Sequence, residues 1–412
     1  MRIDNRSLDL SVQSRSMEPT VALLFEKFGP YHLARLSVAQ KELNVVGLEL
    51  CARSADYPWF ESTQSDDVIR CFTNDEGNLT NSAPLRSALF SSLDKIGPDV
   101  VAVPGWSDKG ALHALLWCRS RRRPAIIMAD STYIDAPRRW MHERLKKILL
   151  SGAAAAFVSG KRSRAYLELL GVPKTHLFTG YDVVDNQYFA HGADVARVNA
   201  GTERIRLALP PQYILFVGRL VEKKNVAGLI DAYALYFKQA GPEVALPLVI
   251  AGDGELRAAL TERVEGLALS SRIHFRGHAN YADLPALYGL SRFLVLPSWV
   301  EQWGLVINEA IASGVPVLVS CRSGASADLV SEEKNGLTFS PSDIDDLALK
   351  LYRLAHVEDV ARFGRQSKEI ARQWDLRRFS EGLKASANVA QSSRKYPGFS
   401  AAVAAMLALQ VT

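Results

Sequence analysis

Short runs of apolar residues alternate with longer stretches of helical periodicity along most of the chain. The first half has six apolar runs of four to six residues, the length expected for strands buried on both faces of a parallel sheet. The runs lie at 21–25, 45–50, 68–72, 100–103, 125–128 and 154–158, and the helical stretches at 31–43, 84–96, 109–119, 137–150 and 162–170. This alternation predicts a doubly wound α/β domain.

The pattern stops at residues 190–212, where large apolar side chains are few and two prolines follow one another. We interpret this segment as a linker. Alternation then resumes, with strands predicted at 213–217, 248–251, 273–276, 293–296 and 315–319, and helices at 227–239, 256–267, 281–290, 305–313 and 343–355. The sequence therefore predicts two Rossmann-like domains, at 21–189 and 213–371, with a ligand cleft at the carboxyl ends of their strands. Residues 1–20 are polar and are predicted to form a short disordered lead.

Length and composition agree with this division. A chain of 412 residues exceeds what one hydrophobic core usually supports, and 48% hydrophobic with 23% charged residues is typical of a soluble globular protein. The four cysteines form no CxxC pair, and no apolar run approaches the roughly 20 residues that span a bilayer. We therefore predict a cytoplasmic protein with reduced thiols and no metal site.

Charge is distributed unevenly, although the net value of +5 is too small to indicate a nucleic-acid partner. Residues 49–99 carry a net charge of −5, whereas residues 119–164 contain 12 Lys and Arg against 3 Asp and Glu. Within this basic stretch, Trp140, Leu145, Ile148 and Leu149 are interspersed with cations. The stretch could contact an anionic membrane surface from the cytoplasmic side, or it could simply be the solvated face of a helix.

The most informative loops follow two predicted strands of the second domain. In the first, Arg219 and Lys224 lie five residues apart between a strand and a helix, where both could bind phosphate oxygens. In the second, Glu301 precedes a helix that begins near Gly304, and Glu309 lies two turns inside that helix. A helix N-terminus suits an anion, and a carboxylate can accept hydrogen bonds from two neighbouring sugar hydroxyls. The alternatives are a solvated basic loop and two glutamates with purely structural roles.

These segments resemble the family-4 (group 1) glycosyltransferases of the GT-B fold. The resemblance rests on GRL-x-x-K-x-N at 218–225, AGDGEL at 251–256 and NGL at 335–337. It also includes PS-x-x-E-x-x-G-x-x-x-x-EA-x-x-x-G-x-PV at 297–317, and it covers nearly all of residues 213–354. The fold it implies is GT-B: two Rossmann-like doubly wound domains facing each other across a cleft, with residues 372–412 forming helices that cross back to the first domain.

The resemblance also implies roles for individual residues. Arg219 and Lys224 would hold the diphosphate of a nucleotide-sugar donor. Glu301 would contact the transferred sugar, Glu309 the ribose and Arg276 the base. The backbone amides around Trp303, Gly304 and Leu305 would line the donor pocket. The implied reaction is transfer to an acceptor hydroxyl with retention of configuration, without a metal or a cofactor, and with a UDP-sugar as the favoured donor.

The first domain departs further from the family pattern. Relatives usually carry a glycine-rich loop after the first strand, whereas this chain has only Gly29 there, which we retain as a donor contact. Many relatives have a histidine after the strand at 125–128, where this chain has Asp130. Asp130 could contact the acceptor or stabilise charge, or it could form an Asx turn or a helix cap.

The resemblance places the reaction in polysaccharide, glycolipid or related glycoconjugate synthesis, with a saccharide or a lipid-linked acceptor. Two alternatives remain open. The chain could be another GT-B enzyme, such as a sugar-nucleotide epimerase or a phosphorylase, or a non-catalytic nucleotide-sugar-binding protein. An epimerase would convert a nucleotide-sugar without an acceptor, and a binding protein would show binding without turnover.

Overall fold

The computed structural model describes residues 19–51, 68–71 and 82–393. The first domain is built on a seven-stranded parallel sheet with the strand order β3-β2-β1-β4-β5-β6-β7. Its strands are β1 (Val21–Phe25), β2 (Val45–Glu49), β3 (Val68–Arg70), β4 (Val100–Pro104), β5 (Ala125–Ala129), β6 (Ala155–Val158) and β7 (Leu177–Thr179). Its helices are α1 (Pro30–Ala39), α2 (Ser82–Ile96), α3 (Lys109–Arg121), α4 (Trp140–Ser151) and α5 (Lys161–Leu169), and the chain then continues through α6 (Asn186–Val198) and α7 (Ala200–Arg206).

The apolar strands of this sheet are covered on both faces. In β1, Val21, Leu23 and Phe25 belong to one buried cluster, whereas Ala22 and Leu24 belong to another. Successive side chains of a strand point to opposite faces, so a strand between two helical layers needs apolar residues at every position. The continuous apolar runs of the sequence arise from this arrangement.

The second domain repeats the architecture with six parallel strands in the order β10-β9-β8-β11-β12-β13. The strands are β8 (Ile214–Val217), β9 (Leu248–Ala251), β10 (Ile273–Gly277), β11 (Phe293–Leu296), β12 (Val317–Ser320) and β13 (Gly336–Phe339). The helices are α8 (Val226–Ala240), α9 (Arg257–Gly266), α10 (Leu284–Gly289), α11 (Leu305–Ala312), α12 (Ser326–Leu329), α13 (Ile344–Ala355) and α14 (Val360–Ala371). The predicted α/β fold class is thus confirmed.

The segment interpreted as a linker differs from that expectation, because residues 190–206 are mostly helical. Helix α6 packs against α10, with Phe189, Ala193 and Ala196 buried. The contact is close: a methyl group added to Gly289 would lie 2.8 Å from the Cα of Ala193. Small residues therefore mark a tightly packed helix pair here, although few large apolar side chains are present.

The final described helix, α15 (Leu376–Ser392), packs on α1 and on strands β4–β7 of the first domain. Its buried side includes Phe379, Leu383, Ala387 and Ala390. The chain thus passes between the domains once before β8 and once after α14. Almost all of the predicted disordered lead (residues 1–18) and the tail at 394–412 lie outside the described residues.

Among the described residues, no helix combines the length and apolar character needed to cross a membrane. Besides α6 and α7, four described elements were not predicted from the sequence, namely β7, β13, α12 and α14.

Candidate active site

Loops at the carboxyl ends of the two sheets contact each other and form a cleft. Arg322, after β12, donates a hydrogen bond of 3.1 Å to the carbonyl of Ile134, after β5. Arg162, at the start of α5, donates from Nη1 to the carbonyls of Cys321 (2.7 Å) and Ser323 (2.8 Å). Residues following β5, β6 and β12 therefore hold the domains together around the cleft.

Lys224 and Glu301 form an ion pair on the second-domain side of this cleft. Their side chains are 13% and 14% exposed, and Ser298 Oγ donates to the same Glu301 oxygen at 3.3 Å. Asn225 fixes the geometry, because its Nδ2 donates to the carbonyls of Pro297 and Pro341, both at 3.2 Å. Half-buried Arg219 lies on the same β8–α8 loop. The structure thus brings together two predicted loops that are far apart in the sequence.

Helix α11 begins beside this ion pair, with Gly304 as its N-cap. Gly304 has a φ of +101°, and an added Cβ would lie 3.1 Å from Glu301 Cγ, so a side chain there would be strained. The helix start has no side-chain cap, which leaves the amides of Leu305 and Val306 available for an anion, whereas the Ile307 N–H already donates to the Gly304 carbonyl at 2.9 Å. Half-buried Leu305 lies at the first helical position.

Trp303 takes part in this site only through its backbone. Its side chain is buried, its Nε1 donates to Asn308 Oδ1 at 2.8 Å, and its ring centroid lies 5.2 Å from that of Trp374. The indole is a core residue that anchors α11. Among the predicted donor contacts, Trp303 can therefore supply only a backbone amide to a ligand.

Glu309 is buried and bridged by two tyrosines. Tyr288 Oη donates to its Oε2 at 2.7 Å, and Tyr31 Oη, from the first domain, donates to its Oε1 at 2.9 Å. Its exposure is only 2%. Burial raises the pKa of Glu309 to about 7, although both hydroxyl hydrogen bonds act in the opposite direction. Tyr31 thus occupies the carboxylate oxygen that a ribose would need, and no local sequence signal indicated this contact.

The loop after β1 presents an open backbone at Gly29. A methyl group added there would meet only His32 Nδ1, at 3.9 Å, so a ligand can approach this residue closely. His32 Nδ1 accepts a hydrogen bond from the Gly29 N–H at 3.2 Å, and its ring lies 4.1 Å from that of Phe25. Burial lowers the pKa of His32 to about 3, so it is a neutral residue that shapes the start of α1.

Asp130 lies at the cleft, directly after β5. Burial raises its pKa to about 7, and the negative charge of Asp182 adds to the shift. Asp135 and Glu301 act in the same direction, which puts Asp130 within electrostatic range of the carboxylate on the other domain. Asp130 caps none of the described helices.

A buried ion pair lies near Asp130, between helix α1 and the segment that follows β7. Asp182 accepts hydrogen bonds from Ser159 Oγ (2.6 Å) and Arg35 Nη2 (3.3 Å). Arg35 Nε also donates to the carbonyl of Val183 at 3.0 Å, and Arg35 is 1% exposed. Burial also raises the pKa of Asp182, while Arg35 and Ser159 act in the opposite direction, so Asp130 and Asp182 are two neighbouring buried carboxyls that influence each other's protonation.

A cavity of about 620 Å³ opens between the domains next to Glu301 and Asp130. Gln302 and Lys223 line it from the second domain, while Ser131 and α4 line it from the first. Trp106, Asp135 and Arg138 also line it from the first domain, and α4 contributes His142 and Lys146. The cavity is large enough for a sugar-sized acceptor and touches the neighbours of both carboxylates.

Arg276 lies apart from this cavity, at the carboxyl end of β10. It is half-buried and precedes Gly277, whose carbonyl accepts a hydrogen bond of 2.7 Å from the Gly252 N–H. The β9 and β10 loops therefore meet beside it.

Comparisons with known proteins give the site a context. Residues 199–373 match the family model "Glycosyl transferases group 1". Mannosylfructose-phosphate synthase of Agrobacterium fabrum is 28% identical over 216 residues, which are 50% of this chain and 46% of that protein. O-antigen chain mannosyltransferase B of Escherichia coli is 33% identical over 148 residues, which are 36% of this chain and 37% of that protein. The chain thus matches less than half the length of either relative.

Solved structures extend the likeness to both domains. The Anabaena protein Alr3699/HepE, in complex with UDP and glucose, matches 89% of this chain and 98% of its own with a TM-score of 0.66 and 19% identity. Sucrose-phosphate synthase from Thermosynechococcus elongatus matches 89% of this chain and 97% of its own with a TM-score of 0.69 and 19% identity. At such identities, the likeness establishes the fold.

Proposed function

We propose that this protein transfers a sugar from a nucleotide-sugar to an acceptor hydroxyl. The premise is that residues 199–373 form a group 1 glycosyl transferase domain within a GT-B fold. The observation that carries the proposal is the Lys224–Glu301 pair, which lies beside the uncapped N-terminus of α11. Cations and free amides suit a diphosphate, and a carboxylate suits sugar hydroxyls, so one end of the cleft offers both.

The favoured donor is a UDP-sugar. The complex of Alr3699/HepE with UDP and glucose supports this choice, although that protein is only 19% identical. In the proposed complex, Arg219 and Lys224 contact the diphosphate, Glu301 the sugar and Arg276 the side of the base. Gly29 faces the donor from the other domain, where its open backbone permits a close approach.

The proposed chemistry is electrostatic. The leaving nucleoside diphosphate develops negative charge, which Arg219, Lys224 and the amides of α11 stabilise. These groups take the part that a divalent metal plays in other transferases, so the proposal includes a metal-independent reaction. Retention of configuration is carried over from the family-4 resemblance. Asp130 faces the reacting sugar from the opposite domain and stabilises the positive charge that develops on it.

A double substitution tests the proposal directly. Arg219→Ala with Lys224→Ala should abolish sugar transfer and weaken UDP binding, while circular dichroism shows that the fold is retained. Arg263→Ala with Lys238→Ala, on the outer helices α9 and α8, is the control with the same change in net charge. The donor is chosen beforehand by thermal-shift screening against UDP, GDP and ADP and their sugars. Near-normal turnover in the first variant would contradict the assignment.

The same preparation separates the alternatives. Conversion of a nucleotide-sugar in an NMR time course without acceptor would favour an epimerase. Phosphate-dependent release of a sugar phosphate from a glycan would favour a phosphorylase. Tight binding of UDP without turnover on any acceptor would favour a binding protein.

We further propose that α4 contacts an anionic membrane. Trp140 (71% exposed), Met141 (60%) and Ile148 (41%) lie within about 100° of one another around the helix, because each residue advances it by about 100°. Arg144 and Lys147 are exposed on the same side. Leu149, which we expected on this face, is buried in the core. The opposite side of α4 lines the cleft cavity through His142 and Lys146, which would bring a lipid-linked acceptor to the site.

Flotation with phosphatidylglycerol-containing liposomes at low salt tests this contact. The wild type should float, and Trp140→Ser with Met141→Ser should remain in the lower fraction. Leu349→Ser, at another exposed apolar position, is the control and should float like the wild type. If the wild type does not float with the liposomes, the membrane contact is refuted, and this result does not affect the proposal of sugar transfer.

A further inference from the structure

A second pocket lies on the opposite edge of the second sheet from the active site. This rear pocket, with a volume of about 430 Å³, is lined by Gln212 before β8, Arg292 before β11 and Pro316 before β12. Its other walls come from α6, α7 and α14. It therefore lies at the amino ends of the strands and between the two segments in which the chain crosses from one domain to the other.

The rear pocket is strongly basic. Five of its lining residues are cations: Arg197, Arg204, Arg292, Arg365 and Lys368. Asp194 pairs with both Arg197 (2.8 Å) and Lys368 (3.1 Å), and Asp359 lies 3.8 Å from Arg365. Within the described parts of the chain, neither Arg204 nor Arg292 has a carboxylate in ion-pair range. The positive charge of the pocket thus exceeds that of its acidic neighbours.

Two of these guanidinium groups carry buried donors that lack an acceptor. The Nε atoms of Arg204 and Arg292 are buried and make no hydrogen bond to any described residue. Arg292 Nη2 donates to the carbonyl of Val357 at 2.6 Å, which fixes that side chain in place. Burial also lowers the pKa of Arg292. Unsatisfied buried donors are costly, and an anion between these arginines would satisfy them.

The remaining walls of the rear pocket define the kind of anion. Pro211, Leu290, Val315 and Val360 supply apolar surface beside the cations. Inorganic phosphate would leave this surface uncovered, whereas a phosphate ester with a small organic body would cover it. The volume excludes a long nucleic-acid strand but admits a sugar phosphate.

We propose that the rear pocket is a second ligand site, separate from the donor cleft, which binds the phosphate ester of a small metabolite through Arg204 and Arg292. Arg365 and Lys368 contribute positive charge at its mouth. The proposal does not depend on the proposed transfer reaction, since none of these residues lies in the cleft.

Calorimetric titration of the full-length protein with glucose 6-phosphate, and separately with inorganic phosphate, tests the proposal. Glucose 6-phosphate should bind the wild type at least fivefold more tightly than inorganic phosphate. Arg204→Gln with Arg292→Gln should weaken its binding at least tenfold. Arg365→Glu, at a side chain that is 68% exposed and therefore safe for folding, should weaken it at least threefold.

Two controls fix the location of binding. Arg372→Glu lies on the same side of the second domain and makes the same charge change outside the pocket, so it should bind like the wild type. Arg219→Ala with Lys224→Ala removes the cleft cations and should also leave glucose 6-phosphate binding unchanged. The proposal is overturned if the wild type does not bind glucose 6-phosphate, if Arg365→Glu binds as tightly as Arg372→Glu, or if the cleft variant loses binding. Equal affinity for inorganic phosphate would overturn the ester assignment.

Discussion

Tyr31 blocks part of the proposed ribose site, and its removal should strengthen nucleotide binding. Its hydroxyl donates to Glu309 Oε1 at 2.9 Å, while Tyr288 already occupies the other carboxylate oxygen. Each carboxylate oxygen could accept a second hydrogen bond, but Glu309 is only 2% exposed, so we expect a ribose to reach it only where the Tyr31 contact breaks. Tyr31→Phe removes only this hydroxyl, because the edge-to-face packing of the ring on Tyr281, with centroids 5.4 Å apart, survives the change.

The size of the effect follows from the strength of that hydrogen bond. A hydrogen bond to an ionised group contributes about 1.5–3 kcal/mol. Because the pKa of Glu309 is raised to about 7, the carboxyl is only partly ionised at neutral pH, and the lower end of this range applies. A gain of about 1.4 kcal/mol corresponds to a tenfold change in affinity. Tyr31→Phe should therefore lower the Kd for UDP roughly tenfold.

Calorimetric titration of UDP into both proteins measures this change. Tyr188→Phe is the matched control, since the Tyr188 hydroxyl donates to the carbonyl of Tyr281 in the same aromatic cluster but does not contact Glu309. The control should bind UDP like the wild type. Weaker binding by Tyr31→Phe would show that the hydroxyl contacts the nucleotide instead of competing with it, and unchanged binding would show that Glu309 does not take part. Either result refutes the reasoning.

Three further predictions concern buried charge and domain contact. The pKa of Glu309 rises from its ordinary 4.5 to about 7, so the folded state keeps a proton that the unfolded chain releases, and stability should fall as pH rises across this interval by on the order of 3 kcal/mol. Urea unfolding at pH 5 and pH 8 should show a larger loss in the wild type than in Glu309→Gln, which keeps the share contributed by Asp130; an equal loss in both would exclude Glu309 as a source. If ionised Asp130 stabilises the developing positive charge, kcat/KM should rise with pH near 7 in the wild type but not in Asp130→Asn. The same pH dependence of kcat/KM in both proteins would argue against this role. Arg162→Ala removes two hydrogen bonds between the domains and should increase the radius of gyration in X-ray scattering, whereas Arg164→Ala, on the same helix, should not.

Much of the fold is predictable because buried parallel strands have a simple signature. Every position of β1 and β11 is apolar, since helices cover both faces of each sheet. The short strands β7 and β13 lack this signature, because they have only three and four residues and polar Thr179 and Thr338 interrupt them. The linker helices were missed for a related reason. Their packing depends on the close approach of Ala193 and Gly289, and small side chains contribute little to a pattern of hydrophobic residues.

The candidate site was predictable only where its residues follow strands. Lys224 and Glu301 are 77 positions apart, yet they meet because β8 and β11 are neighbours in the sheet and their loops leave from the same edge. The Tyr31–Glu309 contact joins two domains across 278 positions, and no strand order connects them. Such a contact depends on the relative placement of the domains, which no local pattern encodes. The family resemblance assigned a ligand to Glu309 but could not show that a tyrosine of this chain already occupies it.

Under the proposed function, the arrangement of charge along the cleft lets one site bind both halves of a sugar nucleotide. Cations are provided where a diphosphate would lie, by Arg219, Lys224 and the start of α11. Carboxylates lie farther along, where Glu301 and Asp130 influence each other across the domain boundary. Two carboxylates that face each other without a ligand repel, and this repulsion contributes to the raised pKa of Asp130. A neutral sugar between them would donate hydroxyl hydrogen bonds to both. A positive charge that develops at its reacting carbon would attract both carboxylates and offset their mutual repulsion. In the proposed reaction the pair therefore stabilises the transition state more than the bound neutral sugar, whereas the cations act on the leaving group.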